Sequence, residues 1–291
     1  MRKIIKLLTV LLLLLLLSVL VSCTSVKKGN VAVIEITGPI VSTDYKSLMI
    51  GDVAVSKKVI EKINKANDDK NIKAIIFVIN SPGGSAVASD EIGQAIKDSE
   101  KLTIAVIKDV GASGGYWVAS AADYVIANRM SFTGSIGVIA SYLEFTGLMD
   151  KYGVDYEGLK AGKFKDMGSP FKPLTDEESK LFQAQLDLIH DYFIEEIADN
   201  RKLTEDHVRN FSDGRVFLGK EAFDLGLVDE LGNEKDAEDY IKQRLDIEIE
   251  LVEYKEPKGL LDVLAEVMYN RQAVIGFGIG QGIQPAQSIR I

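Results

Sequence analysis

Residues 74–79, Ala-Ile-Ile-Phe-Val-Ile, form an unbroken apolar run rich in β-branched side chains, and the run ends in Asn80-Ser81-Pro82-Gly83-Gly84. A strand with no polar face must be covered on both sides, as in a parallel sheet packed between helices. Proline and two glycines stop it, and the stretch that follows through about Lys97 reads as a helix. The pattern then recurs. Thr103 to Ile107 is a second buried strand, running into Gly111-Ala112-Ser113-Gly114-Gly115 and a short helix from Tyr116 to Ala121. Tyr124 to Ala127 is a third short strand. Strand, turn and helix in alternation predict an α/β layered domain.

The flanking segments fit around this frame. Val31 to Ile36 reads as a strand closed by Gly38-Pro39. Asp52 is placed to cap a helix whose apolar positions, Val55, Val59, Ile60 and Ile63, are spaced by three and four. Gly162 to Pro173 is a polar loop, after which Thr175-Asp176-Glu177-Glu178 forms a capping box. The long helix it opens keeps Phe182, Leu186, Ile189, Phe193 and Ile197 at helical spacing. Short helices are expected over 204–245 around a strand-like Gly214-Arg215-Val216-Phe217. Ile247 to Val252, alternating with glutamates, predicts an edge strand.

The N-terminus reads as targeting rather than fold. Arg2, Lys3 and Lys6 precede an apolar stretch, Leu7 to Val21, that is long for a signal peptide and short for a span of about 20 residues. Leu20-Val21-Ser22-Cys23 resembles a bacterial lipobox, in which Cys23 is lipidated; the other reading is an uncleaved signal anchor. Either holds the body at the cell membrane on its extracytoplasmic face. Cys23 is the only cysteine, so a lipidated Cys23 leaves no thiol for disulfide, metal or redox work. The expected organisation is a leader over 1–22, a tether over 23–30, one catalytic-sized domain over 31–256 and a mobile tail over 257–291. The chain carries a net charge of −9, and its three leader cations make the body more acidic still. That excludes nucleic acid as a partner, because phosphates demand a basic surface.

Two glycine-rich turns each end a buried strand and open a helix, which sets their N–H groups at the positive end of a helix. Such groups suit a developing oxyanion, where one donor is worth roughly 2.7–4 kcal/mol. Ser81-Pro82-Gly83-Gly84 alone reads as an ordinary turn. Ser113 stands out because flanking glycines let substrate approach and Gly114 offers an N–H beside the hydroxyl. Gly111-Ala112-Ser113-Gly114-Gly115 also fits the G-x-S-x-G nucleophile elbow. An esterase with a Ser-His-Asp triad therefore competes, and it needs a histidine on a late loop. Only His190 and His207 exist; the first falls inside the long helix, the second in a charged helical stretch, and both read as ordinary helix residues. A lysine serves as base when burial lowers its pKa from about 10.4 toward neutrality. Spacing does not choose among Lys160, Lys163, Lys165 and Lys172.

Asn80-Ser-Pro-Gly-Gly84, Ala112-Ser-Gly-Gly-Tyr116, Thr133-Gly-Ser-Ile-Gly137 and Gly162-Lys-Phe-Lys-Asp-Met-Gly-Ser-Pro170 occur in this order. Together they resemble the short-form bacterial signal peptide peptidases, S49 serine peptidases related in fold to Clp protease and the crotonases. The resemblance covers roughly residues 30–250 and extends to Gly214-Arg-Val-Phe217 and Gly226-Leu-Val-Asp-Glu-Leu231. It implies a Clp protease/crotonase-like layered fold of repeated β-β-α units. It implies Ser113 as nucleophile, Lys165 as general base and Ser135 as the residue that orients the lysine. The oxyanion hole falls to backbone N–H groups of Gly84 and Gly114, with Gly83 as a further candidate. It also implies a homo-oligomeric ring in which serine and lysine come from adjacent subunits. The substrates it implies are apolar peptides, above all cleaved signal peptides left in the membrane. This reading invokes no metal and no cofactor. Two other classes stand beside the esterase: a non-catalytic scaffold that binds membrane proteins through a peptidase-like fold, and a crotonase-type acyl-CoA enzyme. An exported enzyme would not meet acyl-CoA, which disfavours the last.

Overall fold

The computed structural model describes residues 29–43 and 53–254. The leader, Cys23, most of the 23–30 tether, Asp52 and the 257–291 tail lie outside the described residues. In chain order the first half contains β1 (Val31–Thr37), β2 (Ile40–Val41), β3 (Ala54–Val55), α1 (Ser56–Asp68), β4 (Ala74–Ser81) and α2 (Ala86–Lys97). Then follow β5 (Leu102–Ala112), α3 (Gly114–Ser120), β6 (Tyr124–Ala127) and β7 (Phe132–Gly134). The second half contains α4 (Thr146–Tyr152), α5 (Asp176–Arg201), α6 (Glu205–Arg209), β8 (Val216–Leu218), α7 (Gly219–Asp224), β9 (Glu230–Leu231), α8 (Glu234–Leu245) and β10 (Leu251–Glu253).

The main sheet runs β10-β1-β4-β5-β6-β9 with parallel neighbours throughout. Alternate residues of its central strands, Ala74, Ile76, Ile104, Val106 and Ile126, pack with Ala237 and Ile241 of α8. Their neighbours Ile75, Phe77, Ala105 and Ile107 are also buried and point to the opposite face. Both faces are covered, as the apolar runs require.

The sheet forks where the site lies. β5 pairs with β6 over Ile104–Ile107 and then with β7 over Val110–Ala112. The β4–β5 register shifts between Ile79 and Ser81. Side chains replace the lost ladder partners: Asn80 Oδ1 accepts the Val110 N–H at 3.1 Å, and Ser131 Oγ donates to the Ile107 carbonyl at 3.2 Å. β7 in turn pairs antiparallel with β8. The carboxyl ends of β4, β5 and β7 therefore splay around one crevice, the usual ligand position in open α/β sheets.

Several details differ from the sequence reading. β5 runs on through Lys108 and Asp109 to Ala112 because its second half has a partner of its own in β7. Val55 belongs to β3, so α1 starts at Ser56 with Val59, Ile63 and Ala66 as its buried stripe. Asn30 is no tether: its side chain donates to the Glu248 carbonyl at 2.8 Å and accepts the Glu250 N–H at 2.9 Å. It thereby leads β10 onto the β1 edge, where only Leu251–Glu253 of the expected strand are paired. Along α5, Phe193 and Ile197 are buried, whereas Phe182, Leu186 and Ile189 are only half-buried.

Candidate active site

Ser113 links β5 to α3 with φ 53° and ψ −125°, a conformation that costs a non-glycine residue of order 1–3 kcal/mol. Its backbone is fastened on both sides. The N–H donates to the Gly134 carbonyl at 2.8 Å, and the carbonyl accepts the Tyr116 and Trp117 N–H groups at 2.9 Å each. The hydroxyl is thus projected from a rigid corner at the fork of the sheet.

The glycines beside it are explained by crowding. A Cβ on Gly114 would lie 2.3 Å from Ser89 Oγ and 3.3 Å from the Gly84 nitrogen. A Cβ on Gly83, which has φ +94°, would lie 2.6 Å from the Gly114 nitrogen. These contacts set the Gly84 and Gly114 N–H groups side by side. Neither donates a backbone hydrogen bond among the described residues: at the β2 bridge to Gly84, the bonds run from Ile40 N–H to Gly83 and from Ser85 N–H to Ile40. Gly83 differs, because its N–H is already given to Ser81 Oγ at 3.1 Å. Gly83 shapes the turn, and of these three glycines Gly84 and Gly114 keep N–H groups without a backbone acceptor among the described residues.

Ser135 follows β7 with φ 51°. Its N–H donates to the Arg215 carbonyl at 2.9 Å and its Oγ to the Gly214 carbonyl at 3.2 Å. Ser113 and Ser135 line one cavity of about 430 Å³, with Pro82 on one side and Leu186, Asp187 and His190 of α5 on another. Asp213 closes a third side. The Arg215 guanidinium, hydrogen-bonded to Asp213, pulls that carboxyl down to about 2, so the cavity has a fixed anion at its rim.

Lys165 is not among the residues lining this cavity. It lies exposed in the loop before α5. Its neighbours there are engaged: Lys160 with Asp166 at 2.7 Å, Lys163 with Glu177 at 2.7 Å, and Lys172 with Glu178 at 2.6 Å. Among the described residues Lys165 makes no ion pair. The loop meets α5 through its capping box, in which buried Glu178 accepts the Thr175 N–H at 3.0 Å and the Lys172 ammonium.

The histidines separate clearly. His207 stands edge-on to Phe211, with Nε2 at 3.4 Å from the Leu225 carbonyl, and does not line the cavity. His190 does line it, with Nε2 buried and unpartnered among the described residues. Reading His190 as an ordinary helix residue missed this placement. The signal available was the stripe Gln183, Leu186, Asp187, His190, spaced by three and four on the half of α5 that is not buried in the core.

Two family models match overlapping parts of the chain. The model of peptidase family S49 matches residues 95–248, and that of ClpP-like SDH-type serine proteinases matches residues 32–142, in keeping with a Clp protease-like fold. "Putative protease slr0021" of Synechocystis is 35% identical over 243 residues, covering 82% of this chain and 83% of the relative. "Putative signal peptide peptidase SppA" of Enterococcus faecium is 33% identical over 226 residues, covering 76% and 66%. "Protease 4" of Haemophilus influenzae is 34% identical over 229 residues and 76% of this chain, which spans only 36% of that longer protein. The family match extends over more than half of the sequence and includes the Ser113 turn; the chain belongs to peptidase family S49 and is a serine peptidase.

Proposed function

We propose that this chain is a membrane-associated endopeptidase in which Ser113 and Lys165 form the catalytic dyad, that the two are brought together between copies of the chain, and that apolar peptides, chiefly cleaved signal peptides, are the substrates. The observation that carries the dyad is the state of the loop lysines: three are tied to carboxylates and Lys165 is not. A carboxylate partner would favour the charged ammonium, whereas a base must be neutral. The loop region also bears side chains suited to burial against a second copy. Ile139, Leu143, Tyr152 and Leu159 are 90%, 72%, 69% and 99% exposed, and such a concentration of apolar surface marks a protein–protein contact.

Chemistry then proceeds in two halves. The Ser113 hydroxyl attacks the peptide carbonyl carbon as neutral Lys165 takes its proton, and the Gly84 and Gly114 N–H groups hold the oxyanion. Collapse breaks the C–N bond, and the lysine returns the proton to the leaving amine. Water next attacks the acyl-enzyme as Lys165 takes its proton; the acyl C–Oγ bond breaks, Lys165 returns that proton to Ser113 Oγ, and the product leaves as a carboxylic acid that ionises to the carboxylate. Ser135, fixed by Gly214 and Arg215, orients the lysine. Lipidated Cys23, or an uncleaved leader, tethers the enzyme on the extracytoplasmic face. Among the described residues no helix is long and apolar enough to cross a membrane, so attachment falls to the leader in this reading. The name of the Enterococcus relative, a signal peptide peptidase, supports the substrate class.

A second reading has its own observation: His190 shares the cavity with Ser113 and its Nε2 lacks a partner. Parallel Lys165→Ala and His190→Ala variants, assayed on casein and a synthetic signal peptide, separate the two. Loss of a general base costs about 10²–10⁴ in turnover, and that loss is expected for Lys165→Ala. Activity that survives Lys165→Ala but not His190→Ala would replace the dyad by a histidine base.

A further inference from the structure

A second cavity, of about 470 Å³, uses the stretch of α5 that follows the one lining the first. Val87 and Asp90 of α2 form one bank, and Ile189 and Tyr192 of α5 form the other. Its floor is Trp117, one helical turn beyond Ser113, tilted against Phe193 at 4.8 Å between ring centroids. Val87 and Tyr192 are 63% and 53% exposed, so the groove is open and its walls are largely apolar and aromatic.

Its rim is acidic. Asp90, Glu195, Glu196 and Asp199 all line the groove. Glu196 is matched by Lys97 at 2.6 Å and by the Asn200 amide at 3.0 Å. The other three make no ion pair among the described residues, so their charge is unbalanced. An aromatic floor beneath unpaired carboxylates is complementary to a lysine or arginine side chain, whose alkyl stem packs on apolar surface while its head meets the charge.

We infer that this groove is a subsite for a basic side chain of the peptide whose scissile bond sits at Ser113; the inference rests on the peptidase reading and narrows its substrates to apolar peptides carrying a nearby cation. The register can be estimated. The two cavities use stretches of α5 centred about eight residues apart, which at 1.5 Å per residue is roughly 12 Å. An extended peptide advances about 3.3 Å per residue, so the cation belongs three or four residues from the cleaved bond. The groove adds no chemical step. It sets which bond is presented.

The test uses the full-length chain and quenched apolar peptides in which one lysine is moved residue by residue along both sides of the scissile bond, with alanine and glutamate counterparts. Lysine at the third or fourth position on one side should raise kcat/KM by about tenfold through KM, and the gain should shrink with added salt as charges are screened. In an Asp90→Asn, Glu195→Gln, Asp199→Asn variant, lysine and alanine peptides should converge. A flat lysine scan in the wild type, or a preference that survives the triple variant, overturns the inference. Binding of fluorescent peptides to Ser113→Ala, read by anisotropy, separates this from the catalytic reading. Tighter binding of the lysine peptide than of the glutamate peptide, with no cleavage by the wild type, would sink the proposed cleavage of apolar peptides at Ser113 and keep the groove; equal binding would sink the groove.

Discussion

Ser113 donates its backbone N–H to the carbonyl of Gly134 at 2.8 Å, so the corner that carries the proposed nucleophile is fastened to the end of β7, immediately before Ser135. Gly134 holds φ +76°, and a Cβ there would lie 2.6 Å from the Phe217 ring. Gly134→Ala therefore combines left-handed strain of about 1–2 kcal/mol with a clash that shifts the carbonyl holding Ser113. Gly153 is the control: it too has positive φ, +67°, yet a Cβ there meets nothing within 4 Å. Urea denaturation should show both variants destabilised, Gly134→Ala more so. Turnover per folded molecule should fall only for Gly134→Ala, and equal activities would break the link between the two turns.

The proposed sharing of a Ser113–Lys165 dyad between copies makes a sharper demand. Ser113→Ala and Lys165→Ala chains should each be inactive, yet co-assembled in equal amounts they should recover activity. Random mixing around a head-to-tail ring joins an intact serine to an intact lysine at roughly a quarter of the sites. Recovery near that fraction after dissociation and reassembly is the expected outcome. No recovery, with mixed oligomers verified by mass, would place both groups in one chain.

Glu178 gives a pH dependence of known sign. The Lys172 ammonium first, and then the Thr175 N–H, hold its carboxyl below the ordinary range. Its folded value lies under the roughly 4.3 of an unfolded glutamate, so on acidification protons bind the unfolded chain first. The stability it contributes is complete above the unfolded value and is lost as pH falls through the lowered folded value. Glu178→Gln keeps a capping-box side chain but removes the charge. Melting temperatures of the two proteins should differ at pH 7 and converge as the pH drops below 4. Parallel curves over that range would mean that the carboxylate's charge contributes nothing.

Much of the frame was legible in the sequence because it is written in local physics. Ala74–Ile79, Thr103–Ile107 and Tyr124–Ala127 had to be strands with two covered faces, and Thr175 with Glu178 had to open a helix. The fork of β5 was not legible. It depends on Asn80 and Ser131 side chains standing in for ladder partners far away in sequence, and no periodicity encodes that. The Ser113 corner was visible as glycines around a serine after a buried strand. The position of His190 at the cavity was hidden, since the face of α5 that meets the cavity is chosen by packing on α3 rather than by the helix itself. The lone state of Lys165 was hidden too, for it emerges only when Asp166, Glu177 and Glu178 claim the other loop lysines.

The last turn of α5 supplies a test of what holds that helix over the site. Arg201 is buried and pairs with Asp229 at 2.6 Å, while the other Asp229 oxygen accepts the Val125 N–H at 2.8 Å. Nearby, the buried Tyr116 hydroxyl donates to the Leu227 carbonyl at 2.8 Å. These bonds join α5, α3 and β6 to the segment leading into β9. Removing one partner of a buried ion pair costs about 3–5 kcal/mol, toward the lower end here because Asp229 keeps partial access to solvent, with 29% of its side chain exposed. Tyr116→Phe loses one hydrogen bond and leaves a carbonyl unmet, about 1–2 kcal/mol. Urea midpoints should therefore fall further for Arg201→Met than for Tyr116→Phe, while both variants retain KM for a lysine-free apolar peptide at temperatures where they are folded. A changed KM in Arg201→Met would mean that this network sets the position of α5 over the cavity as well as the stability of the fold.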